Sequence, residues 1–300
     1  ITLPARKLLD ICRTLPEEAE IHITVKNEKA QIQSVKSRFT LATMPASEFP
    51  VVDKIKSARK FTVPQNDLHR LFERTSFSMA QQDVRYYLNG LMLEPADGVL
   101  RAVATDGHRL AMCELVTDVG DSADQQVIVP RKGVQELQRL LDDTDDAVQV
   151  EIGSNHIRIT TSELRFTSKL IDGRFPDYQR VIPKGADKVL SVNRESLRQA
   201  LTRTSILSNE KYRGIRLEVS NNLLKIQAHN PEQEEAIEEL EVAYKDDSML
   251  IGFNVTYLLD VLAAIDGTDV ELRLSDANSS ALINKPGQDD CRYVVMPMRL

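Results

Sequence analysis

Hydrophobic and polar positions along this chain predict five short amphipathic helices, most of them followed by strands. We expect the helices over residues 4–15, 64–80, 130–143, 193–208 and 254–266. Proline or asparagine stands at the start of each, where a helix tolerates the first and is capped by the second. Apolar and polar residues then alternate, which predicts strands at 20–25, 148–152 and 269–274.

The pattern repeats at a fixed interval. Three strand motifs lie 127 residues apart, twice: Arg38-Phe39-Thr40, Arg165-Phe166-Thr167 and Arg292-Tyr293-Val294. A second type of half-domain, one helix followed by strands, lies between successive copies of the first type, and its first strand is expected over residues 86–93. We therefore predict an α+β fold of tandem domains, each made of two helix-plus-antiparallel-strand half-repeats with the helices on one face of the sheets. The expected domains are 1–59, 60–184 and 185–300.

Composition excludes several classes of protein. No apolar stretch is long enough to cross a bilayer, so no membrane partner is expected. The net charge is −7, yet the five predicted helices sum to +2 and the remainder to −9, so the helices carry a modest excess of positive charge. The cysteines Cys12, Cys113 and Cys291 are far apart and odd in number. We interpret them as reduced, buried thiols of a cytoplasmic protein, with no metal and no cofactor.

Four segments carry a resemblance to a known family. They are Gln82–Gly90, Ala104–Leu110, Asp172–Tyr178 and Val295–Leu300, and together with the repeat they resemble the bacterial DNA polymerase III β subunits, or sliding clamps, over the whole chain. The resemblance implies the DNA-clamp fold and a head-to-tail homodimer that closes a ring around duplex DNA. Against this family, the chain is interpreted as lacking about the first half of domain 1.

The resemblance also implies a non-catalytic role and a set of partners. A clamp tethers DNA polymerase subunits, the clamp loader and repair proteins through short peptide motifs, and it contacts double-stranded DNA independently of sequence. The groove that receives these peptides would be lined by residues from the second and third domains: Leu88, Thr105, Gly107, His108, Arg109, Leu110, Pro176, Arg180, Val181, Tyr257, Ser280, Met296, Pro297, Met298 and Arg299.

Two further surfaces follow from the resemblance and from the cationic helices. The expected DNA contacts are Arg6, Lys7, Arg13, Gln82, Arg85, Tyr86, Tyr87, Arg131 and Lys132. The expected dimer interface pairs the strand containing Phe39 with an edge of the third domain. Its residues are Lys7, Lys29, Lys36, Arg38, Phe39, Ile206, Leu207, Glu232, Glu234 and Glu235.

Two other interpretations remain open at this point. A monomeric scaffold that binds peptides without enclosing DNA would fit a chain that lacks a half-domain. A hydrolase would use His108 as a general base oriented by Asp106. No nucleophile motif or phosphate-binding loop accompanies these two residues, and Asp106-Gly107 is also typical of a turn.

Overall fold

The computed structural model describes residues 1–49, 55, 59–120 and 125–299. Contacts divide the chain into two compact units, Ile1–Lys54 and Ile55–Leu300. The helices are α1 Ala5–Thr14, α2 Gln65–Ser76, α3 Arg131–Leu140, α4 Arg194–Ser205 and α5 Val255–Ala264. All five lie within the predicted ranges. Pro4, Pro64 and Pro130 precede the first three, while the side chains of Asn193 and Asn254 cap the last two.

The strands are named in chain order. They are β1 His22–Lys26, β2 Lys29–Ser34, β3 Ser37–Ala42, β4 Arg59–Pro64, β5 Gly90–Ala96, β6 Val99–Thr105, β7 Arg109–Val116, β8 Val127–Pro130, β9 Ala147–Ile152, β10 His156–Thr160, β11 Arg165–Lys169, β12 Lys188–Asn193, β13 Gly214–Ser220, β14 Leu223–His229, β15 Glu235–Glu241, β16 Met249–Asn254, β17 Asp269–Leu274, β18 Ala281–Asn284 and β19 Cys291–Val295.

All the strand pairs within these sheets are antiparallel. The first unit holds a three-stranded sheet in the order β1-β2-β3. The second unit holds two four-stranded sheets, β11-β10-β9-β4 and β15-β14-β13-β16, and an eight-stranded sheet in the order β12-β17-β18-β19-β7-β6-β5-β8. In the second unit α2 and α4 pack on these strands and on their neighbours α3 and α5, and α2 also contacts α5.

The predicted repeat is confirmed strand by strand. Each copy of the arginine-aromatic motif places its ring opposite an isoleucine of the preceding strand, in the pairs Ile32–Phe39, Ile159–Phe166 and Ile283–Tyr293. Strands β9-β10-β11 therefore correspond to β17-β18-β19 and to β1-β2-β3, as β5-β6-β7 correspond to β13-β14-β15. The predicted α+β fold of helix-plus-antiparallel-strand half-repeats is thus the observed one.

Three predictions made from the sequence are wrong. Tyr86–Leu88 forms a 3₁₀ turn rather than the start of a strand, because the Asn89 side chain bonds the backbone of Asp83 at 2.8 and 2.9 Å and bends the chain. Cys113 and Cys291 are not reduced thiols but a disulfide, because the register of β7 against β19 sets them directly opposite each other. Cys12 is free, as expected, but exposed rather than buried.

Among the residues that the structure describes, no helix combines the length and the apolar character needed to cross a bilayer.

Candidate functional site

The predicted groove lies where the two halves of the eight-stranded sheet meet. Strand β7 begins at Arg109 and β19 ends at Val295, and these residues are direct partners in the register. The segments that precede β7 and follow β19 therefore leave the sheet at the same edge. The backbone N–H of Met296 donates to the carbonyl of His108 at 2.9 Å, which extends the pairing by one step.

The segment that follows β11 covers one face of this junction. Phe175 and Tyr178 are buried there, in a cluster with apolar side chains from both halves of the sheet, namely Met92, Val103, Leu110, Met112, Ile128 and Val294. Burial of these two large side chains anchors the segment on the sheet. Pro176 and Val181 are thereby held at the edge where the two chain segments emerge.

A polar network also ties this segment down. The Tyr178 hydroxyl donates to Glu94 Oε2 at 2.7 Å, and the Gln126 amide donates to Glu94 Oε1 at 2.6 Å. Burial opposes ionisation of Glu94, but hydrogen bonds from Gln126, Tyr178 and Arg101 outweigh it, so the pKa of Glu94 is lowered. Burial and the hydrogen bond to Glu94 raise the pKa of Tyr178 to about 12.

The cavity between these segments has a volume of about 190 Å³ and a mainly apolar lining. Its walls include residues predicted for the groove: Leu88, Thr105, Gly107, Arg109, Pro176, Val181 and Met296. Arg85 and Tyr87, which were predicted to contact DNA, line it as well. Val294 was not predicted, although its place two residues before Met296 on one strand was a usable signal.

The polar side chains of the turn that leads into β7 form hydrogen bonds with the backbone of the turn itself. Asp106 Oδ1 accepts from the backbone N–H of His108 at 2.9 Å and of Arg109 at 3.0 Å. Gly107 has φ +89°, a conformation that a side chain would strain. Thr105 Oγ1 donates to the carbonyl of Arg109 at 2.6 Å. Asp106 is therefore a turn residue, and it does not orient the imidazole of His108 as a hydrolase would need.

Arg109 forms one wall of the cavity and is held in place by contacts within the protein. Its guanidinium pairs with Asp260, donates to the carbonyl of Phe77 at 2.9 Å and lies 4.6 Å from the centre of the Tyr257 ring. Only 11% of the side chain is exposed. These contacts fix a planar, mostly desolvated surface against which an apolar ligand group can pack.

The other predicted groove residues are not among those that line this cavity. Leu110 is buried in the cluster with Phe175 and Tyr178, and the His108 ring stacks on Tyr257 with centroids 6.5 Å apart. Arg180 is exposed and pairs with Asp177, while Ser280 immediately precedes β18.

The residues after Met296 contribute to the lining of a second cavity. Met298 bonds the carbonyl of Gly252 at 2.8 Å and, with Arg299, lines a neighbouring cavity of about 390 Å³. Pro297 joins the two methionines, and Leu300 lies outside the described residues.

The cations on the helices differ in how far they are already neutralised. In the second unit, four helix arginines pair with nearby carboxylates: Arg74 with Asp266 and Asp290, Arg139 with Glu136, Arg198 with Glu195 and Arg203 with Glu238. Arg131 donates to the carbonyl of Met79 at 3.0 Å. Lys132 is exposed, and no described carboxylate lies within ion-pair distance of it. In the first unit Arg6, Lys7 and Arg13 are exposed on α1, where Arg6 faces Asp10 at 3.4 Å.

The loop before the 3₁₀ turn is shared between two predicted roles. Arg85 pairs with Asp83 and donates to the carbonyl of Asp106 at 3.2 Å, and its hydrogen bonds lower the pKa of Asp83 to about 2. Gln82 and Tyr86 are exposed. The loop therefore turns one side to the cavity through Arg85 and leaves the other side open to solvent.

The residues predicted for the dimer interface lie on or near two sheet edges, except Lys7, which is on α1. In the first unit Lys29, Lys36 and Arg38 are exposed and Phe39 is half-buried, on or beside the edge strand β3. In the second unit β15 is the edge strand, and Glu235 is its first residue. Glu232 and Glu234 lie in the turn before it, and Ile206, 75% exposed, and Leu207 follow α4, which packs on β15.

Comparison with known proteins agrees with this geometry along the whole chain. Family models of the DNA polymerase III beta subunit match three successive stretches: the N-terminal domain over 1–53, the central domain over 62–177 and the C-terminal domain over 179–299. The chain is 57% identical to the beta sliding clamp of Pseudomonas aeruginosa and 54% identical to that of Escherichia coli K12. Both matches cover 100% of this chain and 82% and 81% of those proteins.

A solved structure gives the same answer. A crystal structure of the Pseudomonas aeruginosa DNA polymerase sliding clamp superposes with a TM-score of 0.93, over 99% of this chain and 81% of that one. The sequence matches cover the whole chain and the structural match covers 99% of it, so the chain belongs to the DNA polymerase III beta subunit family, the beta sliding clamps.

Proposed function

We propose that this chain works as a cytoplasmic DNA sliding clamp, a non-catalytic processivity factor that encloses duplex DNA as a head-to-tail dimer and tethers other proteins by their peptides. The observation that carries the proposal is the pairing of β7 with β19. In the repeat, β15 corresponds to β7 and β3 corresponds to β19. These two strands are sheet edges in the described part of the chain, so two copies can complete each other.

The register of β7 against β19 also predicts the register of β15 against β3 of a second copy. Tyr293 lies opposite Ala111 at the junction. The equivalent residues are Phe39 in β3 and Ala236 in β15, so these two should face each other across the interface. One consequence is that Lys36 falls opposite Glu239. Exposed ion pairs of this kind contribute ~0–1 kcal/mol each, so they set the register more than the affinity.

Contact with DNA would come from cations that no carboxylate of the chain already neutralises. Among the described residues, Lys7, Arg13 and Lys132 fit this description, and Arg131 keeps part of its donor capacity. Sparse phosphate contacts bind every sequence alike and let the protein move along the duplex. Affinity should therefore fall steeply with salt and be insensitive to DNA sequence.

The cavity at the junction would receive a short peptide that contains leucine and phenylalanine. Its apolar lining suits two such side chains, and Met296 can adapt to ligands of different shape. Burying two apolar groups stabilises the complex by roughly 3–6 kcal/mol before the ordering costs, well short of the ~12 kcal/mol that nanomolar binding requires, so an isolated peptide should bind far more weakly than that. Polymerase subunits, the clamp loader and repair proteins would present such peptides.

Primer extension on a primed circular template tests the proposal as a whole. With the polymerase and clamp loader of Pseudomonas aeruginosa, the chain should lengthen the products made in one binding event. A monomeric peptide-binding scaffold, the competing function, would bind the peptide but leave product length unchanged and run as a monomer in light scattering. Peptide binding without dimers would therefore favour the scaffold.

A further inference from the structure

The disulfide between Cys113 and Cys291 lies on the one strand pair that joins the two halves of the eight-stranded sheet. Cys113 belongs to β7 and Cys291 to β19, and the two are direct partners with Cα atoms 4.1 Å apart. They are 178 residues apart in the chain. The bond therefore links the second predicted domain to the third at their shared edge.

The two sulfur atoms differ in accessibility. Cys113 is 1% exposed, within the apolar core, and its Sγ lies 3.8 Å from the hydroxyl of Tyr293. Cys291 is only half-buried and borders a small opening lined by Arg74, Lys285, Asp266 and Asp290. Arg74 directs an N–H toward Cys291 Sγ at 3.9 Å and also pairs with the two aspartates.

We propose that Cys113 and Cys291 form a thiol–disulfide modification site, whose reactants are low-molecular-weight thiols and disulfides, and that its oxidation fastens the junction of the two domains. The reactive role follows from the proposed cytoplasmic location, where thiol pools keep most cysteines reduced and a disulfide is in exchange with them.

The chemistry assigns a separate task to each cysteine. The Cys291 thiolate attacks one sulfur of a small disulfide, which forms a mixed disulfide and expels one small thiolate. The Cys113 thiolate then attacks Cys291 Sγ and expels the second. Two protons leave the two cysteines and are taken up by the two small thiolates, so atoms and electrons balance. Reduction runs through the same mixed disulfide in reverse.

The location relates this site to the groove. Cys291 and Val295 are four residues apart on β19, which corresponds to about 13 Å along a strand. Oxidation therefore fixes β7 against β19 near the cavity without occupying it. We expect the oxidised form to hold the two cavity walls together more stably, while the cavity remains open to a peptide.

A glutathione redox series on the purified full chain tests the site, in a Cys12→Ser background that removes the exposed third thiol. After acid quenching and alkylation, mass spectrometry should show Cys113 and Cys291 losing their labels together as one transition. The oxidised form should melt roughly 5–15 °C higher than the reduced form. Amide exchange in β7 and β19 should be slower in the oxidised form.

Two variants separate the roles of the cysteines. With Cys113→Ala, Cys291 should accumulate as a mixed disulfide with glutathione. With Cys291→Ala, Cys113 should stay unmodified while the protein is folded. A pair that remains reduced at every ratio, equal modification of the two single thiols, or identical exchange in both forms would each overturn the proposal. Because no assay here uses DNA or peptide, failure of the clamp function would leave these results unaffected.

Discussion

Strands β7 and β15 occupy the same place in the repeat but have different surroundings. β7 is covered on its outer edge by β19, with a regular antiparallel register and a disulfide across it. β15 pairs only with β14 in the described residues, and its side chains alternate between exposed and half-buried. The outer edge of β7 is thus paired within the chain, whereas the equivalent edge of β15 is unpaired in the described residues.

The residues at equivalent positions of β7 and β15 differ in a way that matches the surroundings of each strand. The positions of β7 that face the helices hold Ala111 and Cys113, which suit a buried strand. The equivalent positions of β15 hold Ala236 and Glu238, and Glu238 is satisfied by Arg203 at 2.6 Å. Charged side chains keep an open edge from pairing indiscriminately. The open edge of β15 is therefore built for a charged, specific partner rather than for permanent burial in this chain.

The largest effect should come from transferring the disulfide to the open edge. Cys291 corresponds to Ser37 and Cys113 to Glu238, so Ser37→Cys with Glu238→Cys should link two copies covalently under mild oxidation. In a Cys12→Ser background we expect most of the protein to run as a dimer on a non-reducing gel. Ser37→Cys with Ile237→Cys, one residue out of register, is the control and should stay largely monomeric. Equal cross-linking in both would show that β3 and β15 do not pair in this register.

Sequence patterns predicted the elements better than the contacts between them. Helix starts follow local chemistry, as at Asn193 and Asn254, and the arginine-aromatic repeat fixes which strands are equivalent. The disulfide and the wall position of Val294 depend on the register of β7 against β19, which joins residues far apart in the chain. The buried position of Arg109 was missed for the same reason, since Asp260 and Tyr257 come from a distant helix.

The cavity at the junction of β7 with β19 should no longer bind a peptide when one of its walls is removed. Deletion of residues 296–300 takes away Met296, which lines the cavity, and should weaken binding of a labelled peptide by about 100-fold or more. Met296→Ala should weaken it more than Met298→Ala, because Met298 lines the neighbouring cavity instead. Fluorescence anisotropy measures all three, with the melting temperature as a control for folding. Unchanged affinity after the deletion would place the peptide site elsewhere.

A smaller effect is expected from the charges at the open edge. Lys36→Glu should place a negative charge opposite Glu239 of the other copy and so weaken the dimer. We expect a loss of less than tenfold in dimer affinity, because exposed ion pairs contribute ~1 kcal/mol or less. Raising the salt concentration should remove the difference between variant and parent. Lys26→Glu makes the same charge change on β1, the opposite edge of that sheet, and should have no effect in sedimentation equilibrium. If both variants weaken the dimer alike, net charge rather than register is responsible.

The last prediction concerns the stability of the segment that follows β11 and covers the junction of β7 with β19. Tyr178→Phe keeps the buried ring but removes the hydrogen bond to Glu94, which retains Gln126 and Arg101, so we expect a loss of about 1 kcal/mol in the free energy of unfolding. The pKa of Tyr178 is raised to about 12, above its unfolded value near 10. Its contribution is therefore present below pH 10 and is lost as the pH rises toward 12. The variant should show a shallower loss of stability over that window in urea unfolding, and an equally steep loss would mean that the hydroxyl of Tyr178 does not hold the segment to the sheet.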